Sequence, residues 1–212
     1  MLWGLQFSML KFVGETFDAT SLLVIKFFLS AAILAAFDFR KIKFQSRKMV
    51  FHSIMLGVLG AAQVYFQTIG LANTNPANSS FIITTNAIYV PIIMFLLFGK
   101  KPSQNMVIGL ITITAGFLFI SGIVCLFPFS ISFQLGYGDL LSLICAILTA
   151  LYLVYFNYLS TKYDEDSVNI IHLSGSAAVM FLVWIFLHSA GKTQMDFSNI
   201  PAVLGLIYCG VF

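Results

Sequence analysis

The sequence SLLVIKFFLSAAI, from Ser21 to Ile33, returns 146 residues later as SVNIIHLSGSAAV, from Ser167 to Val179. The two stretches align without a gap, so the triplet Ser-Ala-Ala occupies the same place in both and Lys26 aligns with His172. An ionisable residue inside an apolar helix is energetically costly. Its recurrence at a matched position indicates two copies of one structural unit, although two lipid-facing helices can also resemble each other through composition alone.

The match extends into the neighbouring apolar segments. The first and third segments align with the sixth and eighth. Leu56-Gly57 aligns with Leu204-Gly205 after an insertion of two residues in the second copy. The repeating unit therefore contains five helices. Because five is an odd number, the second copy enters the membrane from the opposite side, which is the inverted plan common in secondary transporters.

The composition places this chain in a membrane. Of its 212 residues, 59% are hydrophobic and 9% are charged, whereas soluble domains carry about 25% charged residues. A soluble domain of this size could not hide so much apolar surface, so lipid must be the solvent. The net charge of +3 comes without the basic stripe that binds a phosphate backbone, and we expect no nucleic-acid partner. The cysteine spacing matches no zinc or haem motif, and we expect no metal and no cofactor.

Eight apolar segments follow one another along the chain. They cover residues 2–13, 21–37, 49–72, 76–98, 104–127, 139–159, 167–187 and 199–212. A membrane-spanning helix needs about 20 apolar residues, and the first and last segments are shorter. Asn75 and Pro76 are placed to cap and open the fourth segment. We predict an all-α membrane protein, a multi-pass helical bundle of two inverted five-helix repeats of which the second is incomplete.

The two repeats occupy residues 1–128 and 134–212. The sixth segment begins near Asp139, but the first segment has no residues before Met1 to match its opening turns. The second repeat stops within its third helix. We expect from this alignment that the chain is a fragment, or a truncated product, of a ten-helix protein.

The basic residues predict the orientation in the membrane. Eight of the eleven lysines and arginines lie in three links, at residues 38–48, 99–104 and 160–166. Short links make neighbouring helices antiparallel, so these three links share one side of the membrane. Links rich in lysine and arginine are typical of the cytoplasmic side. We therefore predict a multi-pass protein of the cell membrane with these links in the cytoplasm.

Four stretches of the chain resemble one known family. They are GLANTNPANSSFI at residues 70–82, AIYVPIIMFLLFGKKPS at 87–103, IGLITITAGFLFISG at 108–122 and GDLLSLICAILTALYLVY at 138–155. In order and spacing they resemble the EamA-like family of the drug/metabolite transporter superfamily. The resemblance implies ten helices in two inverted repeats and the movement of metabolites or drugs across a membrane. The chain departs from the family at Lys100, where a glutamate is common, and at Lys26, where an arginine is common.

Lys26 and His172 are the first candidates for a functional site. A cation in a membrane helix usually faces the bundle interior or a water-filled cavity. The matched positions form a candidate pseudo-symmetric pair that enters one site from opposite faces and contacts substrate or closes a gate. The alternative for Lys26 is snorkelling to the lipid headgroups, because it lies only five residues into its segment. Lys11, near the end of its segment, is expected to snorkel.

Polar residues within the apolar segments give further candidates. Gln63 and Gln67 are four residues apart and share a helix face, where they either line a substrate path or bridge helices. Asn86 and Tyr89 lie one turn apart, ahead of Pro91, a residue that can kink the helix near a binding site. Tyr152 is a weaker candidate in the sixth segment. The predicted cavity-lining residues are therefore Lys26, Gln63, Gln67, Asn86, Tyr89, Tyr152 and His172.

These observations predict a permease rather than an enzyme. We expect a secondary transporter of small organic metabolites or drugs that works by alternating access, since no Walker-type loop is present. Its expected partners are a small-molecule substrate and the lipid bilayer. One alternative is a truncated chain that does not transport, or a membrane protein that only packs against other helices.

A remote alternative is an intramembrane protease of the GxGD type, suggested by Gly136 to Asp139 and by Tyr163-Asp164. Asp139 and Asp164 flank one helix, however, and would lie roughly 37 Å apart. Catalytic aspartates that share a proton must nearly touch. Asp139 is better explained as an acidic residue at a helix start.

Overall fold

The computed structural model describes residues 2–38, 45–99, 103–120, 124–126, 129–131, 136–191, 193 and 199–211. Its helices are α1 (Leu2–Gly14), α2 (Ala19–Asp38), α3 (Arg47–Ala72), α4 (Pro76–Thr84), α5 (Asn86–Phe98), α6 (Gln104–Ile120), α7 (Tyr137–Lys162), α8 (Glu165–Ser189) and α9 (Ile200–Val211). Two short strands, β1 (Val124–Leu126) and β2 (Phe129–Ile131), lie between α6 and α7. The architecture is that of the predicted all-α, multi-pass membrane protein.

Five of the described segments are long and apolar enough to cross a membrane. They are α2, α3, the combined stretch of α4 and α5, α7 and α8. Helices α6 and α9 are apolar but shorter. Large exposed apolar side chains, such as Leu96, Leu182 and Phe186, cover the outside of the bundle, as expected where lipid replaces water.

The predicted fourth span is two helices that meet at Thr85. Asn75 begins α4 as predicted, because its side chain accepts a hydrogen bond from the Ala77 backbone N–H at 3.0 Å. The break lies six residues before Pro91, which sits buried inside α5. The hydroxyls of Thr84 and Thr85 donate to carbonyls three residues earlier, and such back-bonding competes with the helical ladder.

The predicted span at residues 104–127 is wrong near its C-terminal end. Helix α6 ends at Ile120, and residues 124–126 form a strand instead. Val124 pairs with Ile131 and Leu126 with Phe129 in an antiparallel ribbon. An apolar run contains no periodicity that separates a buried strand from a helix, so hydropathy alone could not place this boundary.

Helix α3 lies at the centre of the bundle and packs against α7 and α8, while α9 packs against α1 and α2. Helices α2 and α8 pack against each other and run antiparallel, since Ser21 contacts Trp184 and Phe28 contacts Phe181. Exchanging α1, α2 and α3 with α7, α8 and α9 leaves this set of packed pairs unchanged. The helices that carry the matched sequences therefore occupy matched places.

The same cap begins both α2 and α8. The Asp18 carboxylate accepts hydrogen bonds from the Ser21 backbone N–H at 3.1 Å and from its hydroxyl at 2.6 Å. Asp164 accepts the corresponding bonds from Ser167 at 3.2 Å and 2.7 Å. Each aspartate satisfies an N–H that a helix start leaves without a partner.

In the part of the chain that the structure describes, the basic links meet at one end of the bundle. The backbone N–H of Asp164 lies 3.4 Å from the Gln45 side-chain oxygen, and Phe98 stacks on Tyr158. These contacts bring the start of α3, the end of α5 and the α7–α8 link together. Arg40, Lys41, Lys43, Lys100 and Lys101 of the same predicted links lie outside the described residues.

Candidate functional site

Helix α3 contacts its two main neighbours through glycines. A Cβ on Gly57 would lie 2.5 Å from the His172 carbonyl oxygen on α8, and a Cβ on Gly70 would lie 2.9 Å from the Ser142 hydroxyl on α7. At 100° per residue, these two glycines are about 140° apart around α3. The surface of α3 between them faces the crevice where α7 and α8 meet.

Gln63 and Gln67 lie within that arc. Both are within about 60° of Gly60 around the helix, and Gly60 itself faces the Tyr152 ring and the Ser176 hydroxyl. Both glutamine side chains are half-buried. We call the region where α3, α7 and α8 meet, defined by Gly60, Gln63, Gln67, Tyr152, His172 and Ser176, the α3–α7–α8 crevice.

A histidine and a tyrosine are bonded across this crevice. His172 Nε2 and the Tyr152 hydroxyl lie 3.0 Å apart, and the two rings lie 5.7 Å apart between centroids. Phe156 stacks on Tyr152 at 6.0 Å and covers the histidine ring from the same helix. His172 is only 6% exposed, so the pair is held in the interior by α7 and α8.

Three buried polar atoms on these helices make no hydrogen bond among the described residues. They are Gln63 Oε1, His172 Nδ1 and the Ser53 hydroxyl. A buried polar atom left without a partner costs roughly 1–3 kcal/mol.

A second histidine–tyrosine pair lies one turn away. His52 Nδ1 on α3 is 2.7 Å from the Tyr155 hydroxyl on α7. The sequence analysis missed this pair, because His52 sits among apolar residues and does not align with another histidine in the second repeat. The three-residue spacing of Tyr152 and Tyr155, which places them on one helix face, was the available signal.

Lys26 lies away from the crevice. Its side chain is half-buried on α2, and its ammonium lies near Cys209 on α9. The register of α2 against α8 puts Lys26 and His172 on the order of 15 Å apart along the bundle. No hydrogen bond or ion pair of Lys26 is found within the described part of the chain, and none of its contacts there reaches His172.

Asn86 and Tyr89 are on α5, which packs against α7. Both side chains are half-buried. No hydrogen bond among the described residues joins either of them to the crevice. Of the seven predicted site residues, the structure joins Tyr152 and His172 by a contact, places Gln63 and Gln67 on the same face of α3 as Gly60, and leaves the other three elsewhere.

The polar residues at the opposite end of α7 have structural partners. Lys11 donates to the Thr74 carbonyl oxygen at 2.7 Å rather than extending only into headgroups. The Thr74 hydroxyl donates to Asp139 at 2.6 Å, and Asp139 also accepts from the Gly136 N–H at 3.0 Å. Asp139 therefore stabilises the start of α7, as predicted.

Asp139 and Asp164 lie at opposite ends of α7, each capping a helix. No pair of carboxylates that could share a proton is formed by these two residues. Among the described residues, no group of three or more histidine, cysteine, aspartate or glutamate side chains is placed to hold a metal ion.

Two grooves open on the bundle surface next to the crevice. One, of about 520 Å³, lies between α3, α5 and α7 and includes Tyr155 and Tyr158. The other, of about 540 Å³, lies between α3 and α8 and includes Tyr65 and Phe66. Their linings are almost wholly apolar, and the predicted site residues lie outside both.

Comparison with known proteins gives one family and two relatives. The profile of the EamA-like transporter family matches residues 1–122. One relative, an uncharacterized transporter of Archaeoglobus fulgidus, is 26% identical over 151 residues, which is 69% of this chain and 42% of the relative. A second uncharacterized transporter of the same organism is 26% identical over 219 aligned positions, covering 100% of this chain and 73% of the relative. The chain thus spans less than half of the first relative's length.

Proposed function

The chain belongs to the EamA-like transporter family, and from that premise we propose that it is a secondary transporter of small organic solutes. Solute passes along the α3–α7–α8 crevice while two inverted repeats exchange access between the two sides of the membrane. The basic links face the cytoplasm, in agreement with the usual distribution of lysine and arginine. Both relatives are named as transporters, and neither name states a substrate.

Packing and capping support the two repeats, at residues 1–128 and 134–212. Helices α2 and α8 begin with the same aspartate cap and cross each other antiparallel. The matched serines also make matched bonds, because Ser30 donates to the Gly210 carbonyl on α9 at 2.6 Å and Ser176 donates to the Gly57 carbonyl on α3 at 2.9 Å. Pairs related in this way are expected when one repeat is a rotated copy of the other.

The observation that carries the proposal is the unpartnered, buried Oε1 atom of Gln63 beside the crevice. Evolution of a bundle for stability alone favours an apolar residue at such a site. A solute with an amide, hydroxyl or ammonium donor can satisfy this oxygen during passage. The crevice offers neutral polar groups on aromatic walls, which suits uncharged or cationic solutes better than anions.

The mechanism follows from the closeness of the helices. Gly57 lets α3 touch the backbone of α8, so a small rotation between these helices changes the width of the crevice. The α4–α5 break at Thr85 interrupts another helix that packs on α7. Broken helices supply backbone groups and flexibility near the binding sites of many transporters.

Transport by the purified chain in proteoliposomes tests this proposal. The assay measures uptake of labelled amino acids, nucleosides and the cation tetraphenylphosphonium, driven by preloaded solute. We expect saturable uptake of at least one probe that Gln67→Ala lowers tenfold at equal protein incorporation. Gln104→Ala, at an exposed position of α6, is the matched control and retains uptake. Equal uptake by the Gln67→Ala variant would remove the crevice from the path.

A further inference from the structure

We propose that His172, bonded to Tyr152, is a proton-binding site that couples solute movement to a proton gradient. The inference rests on the proposed transport function and adds the coupling ion. It starts from geometry: one ring nitrogen of a buried histidine bonds a tyrosine hydroxyl, and the other is buried without a hydrogen bond of ordinary geometry.

One nitrogen of the ring has an acceptor in place for a protonated imidazolium. Nε2 lies 3.0 Å from the Tyr152 hydroxyl, which can accept as readily as it donates. On the other side, the Val168 and Asn169 carbonyls of the preceding turn lie near the ring, but Nδ1 makes no hydrogen bond among the described residues. Protonation therefore reverses the hydrogen bond to Tyr152 without moving the helices apart. The proton comes from water and returns to water.

The surroundings keep the histidine neutral in the closed arrangement. On α7 it faces Tyr152 and Phe156, and on α3 the backbone of Gly57 covers it. The only titratable group of α3 in this region is His52, which is bonded to Tyr155. A buried charge without a counter-ion is costly, so this arrangement releases the proton.

No described charge lies close enough to replace the proton. On α8 the acidic residues nearest in sequence are Asp164, Glu165 and Asp166, about two turns away at the helix start. The lysine of α2, Lys26, is on the order of 15 Å away along the bundle. The ring thus responds mainly to hydration, and opening of the crevice to water favours protonation.

A site whose affinity for the proton differs between the closed and open arrangements couples proton binding to the opening of the crevice. Proton binding favours the arrangement in which the crevice is open to water, and solute that seals the crevice favours release. The two ligands then move in opposite directions across the membrane. A histidine suits this role, since its ordinary protonation range includes physiological pH.

Nuclear magnetic resonance of the full chain in lipid nanodiscs tests proton binding directly. The ring nitrogens of the three histidines are labelled with ¹⁵N and assigned with His→Gln variants. We expect the His172 ring to gain a proton as the pH falls from 9 to 4. Tyr152→Phe should move that change about 0.5–1 pH unit lower, because a bond to an imidazolium is stronger than a bond to a neutral ring. A His172 ring that stays neutral throughout contradicts the proposal.

Proteoliposomes that contain the pH-sensitive dye pyranine test coupling. With a transported probe, we expect dye response and at least tenfold accumulation against its gradient in the unmodified chain and in His188→Gln, an exposed histidine bonded to Thr193. His172→Gln and Tyr152→Phe should each lower accumulation at least fivefold. Transport without a dye response overturns the proton site and leaves the transport function standing. Failure of every probe to move contradicts both.

Discussion

The Ser176 hydroxyl of α8 donates a hydrogen bond to the Gly57 carbonyl oxygen of α3, with 2.9 Å between the two oxygens. The same hydroxyl also lies 3.0 Å from the His172 carbonyl. It joins the two helices at the point where their backbones come closest, directly beside the histidine of the crevice.

Gly57→Ala should destabilise the folded protein more than an ordinary surface change. The new Cβ would lie 2.5 Å from the His172 carbonyl and 2.9 Å from the Ser176 nitrogen, so α3 and α8 must separate, at a cost of about 1–3 kcal/mol. Thermal unfolding in detergent, followed by size-exclusion fluorescence, measures the loss. Gly109→Ala, where no heavy atom lies within 4 Å, is the control and should be neutral or stabilising. Equal melting temperatures for the two variants would refute the close crossing.

Ser176→Ala and Ser30→Ala should have similar effects on stability. Each removes a hydroxyl that donates to a glycine carbonyl on a neighbouring helix, and such bonds in membrane proteins average about 0.6 kcal/mol. The two serines have no shared partner, so the losses should add in the double variant. A calorimetric or denaturant series on the four proteins measures this. Strong non-additivity would contradict two independent, matched contacts.

Asp18→Ala and Asp164→Ala should each cost about 0.5–2 kcal/mol, because each removes a helix cap. Asparagine is also a good cap, so Asp18→Asn and Asp164→Asn should retain most of the stability. The readout is the unfolding midpoint of each pair of variants in the same detergent. If alanine and asparagine behaved alike at both sites, capping could not be the role of these residues.

Gln63→Met should raise stability and lower transport. The change removes a buried oxygen that has no hydrogen bond, which should raise the free energy of unfolding by about 1 kcal/mol. It also removes a polar group that can bind the solute. Unfolding midpoints and probe uptake are measured on the same preparations. Gln104→Met is the matched control, since Gln104 is exposed at the start of α6 and should change neither quantity. A Gln63→Met variant that is less stable would mean that the oxygen has a partner.

Much of the fold was predictable because lipid imposes simple rules. The lengths of the apolar runs predicted α2, α3, α7 and α8 to within a few residues. Asn75 followed by Pro76 marked the start of α4. The span at residues 76–98 was predicted, but the helix break at Thr85 inside it and the strand that begins at Val124 were not. Hydropathy measures affinity for lipid and not backbone conformation.

The candidate site was predictable only in part. Helical spacing placed Gln63 and Gln67 on one face, and apolar surroundings made His172 conspicuous. The partnership of His172 with Tyr152 could not be foreseen, since it depends on the register between α7 and α8. The predicted pairing of Lys26 with His172 at one site stays a prediction, and in this structure the two residues lie on the order of 15 Å apart along the bundle.

The sequence by itself determined that the chain lies in a membrane, where most of its helices run, and that two stretches 146 residues apart match each other. Those properties depend on composition and on spacing along the chain. The tertiary structure decided which helices touch: α2 crosses α8, and glycines bring α3 against both α7 and α8. Close packing depends on matching surfaces that are distant in sequence, and no local pattern encodes that match.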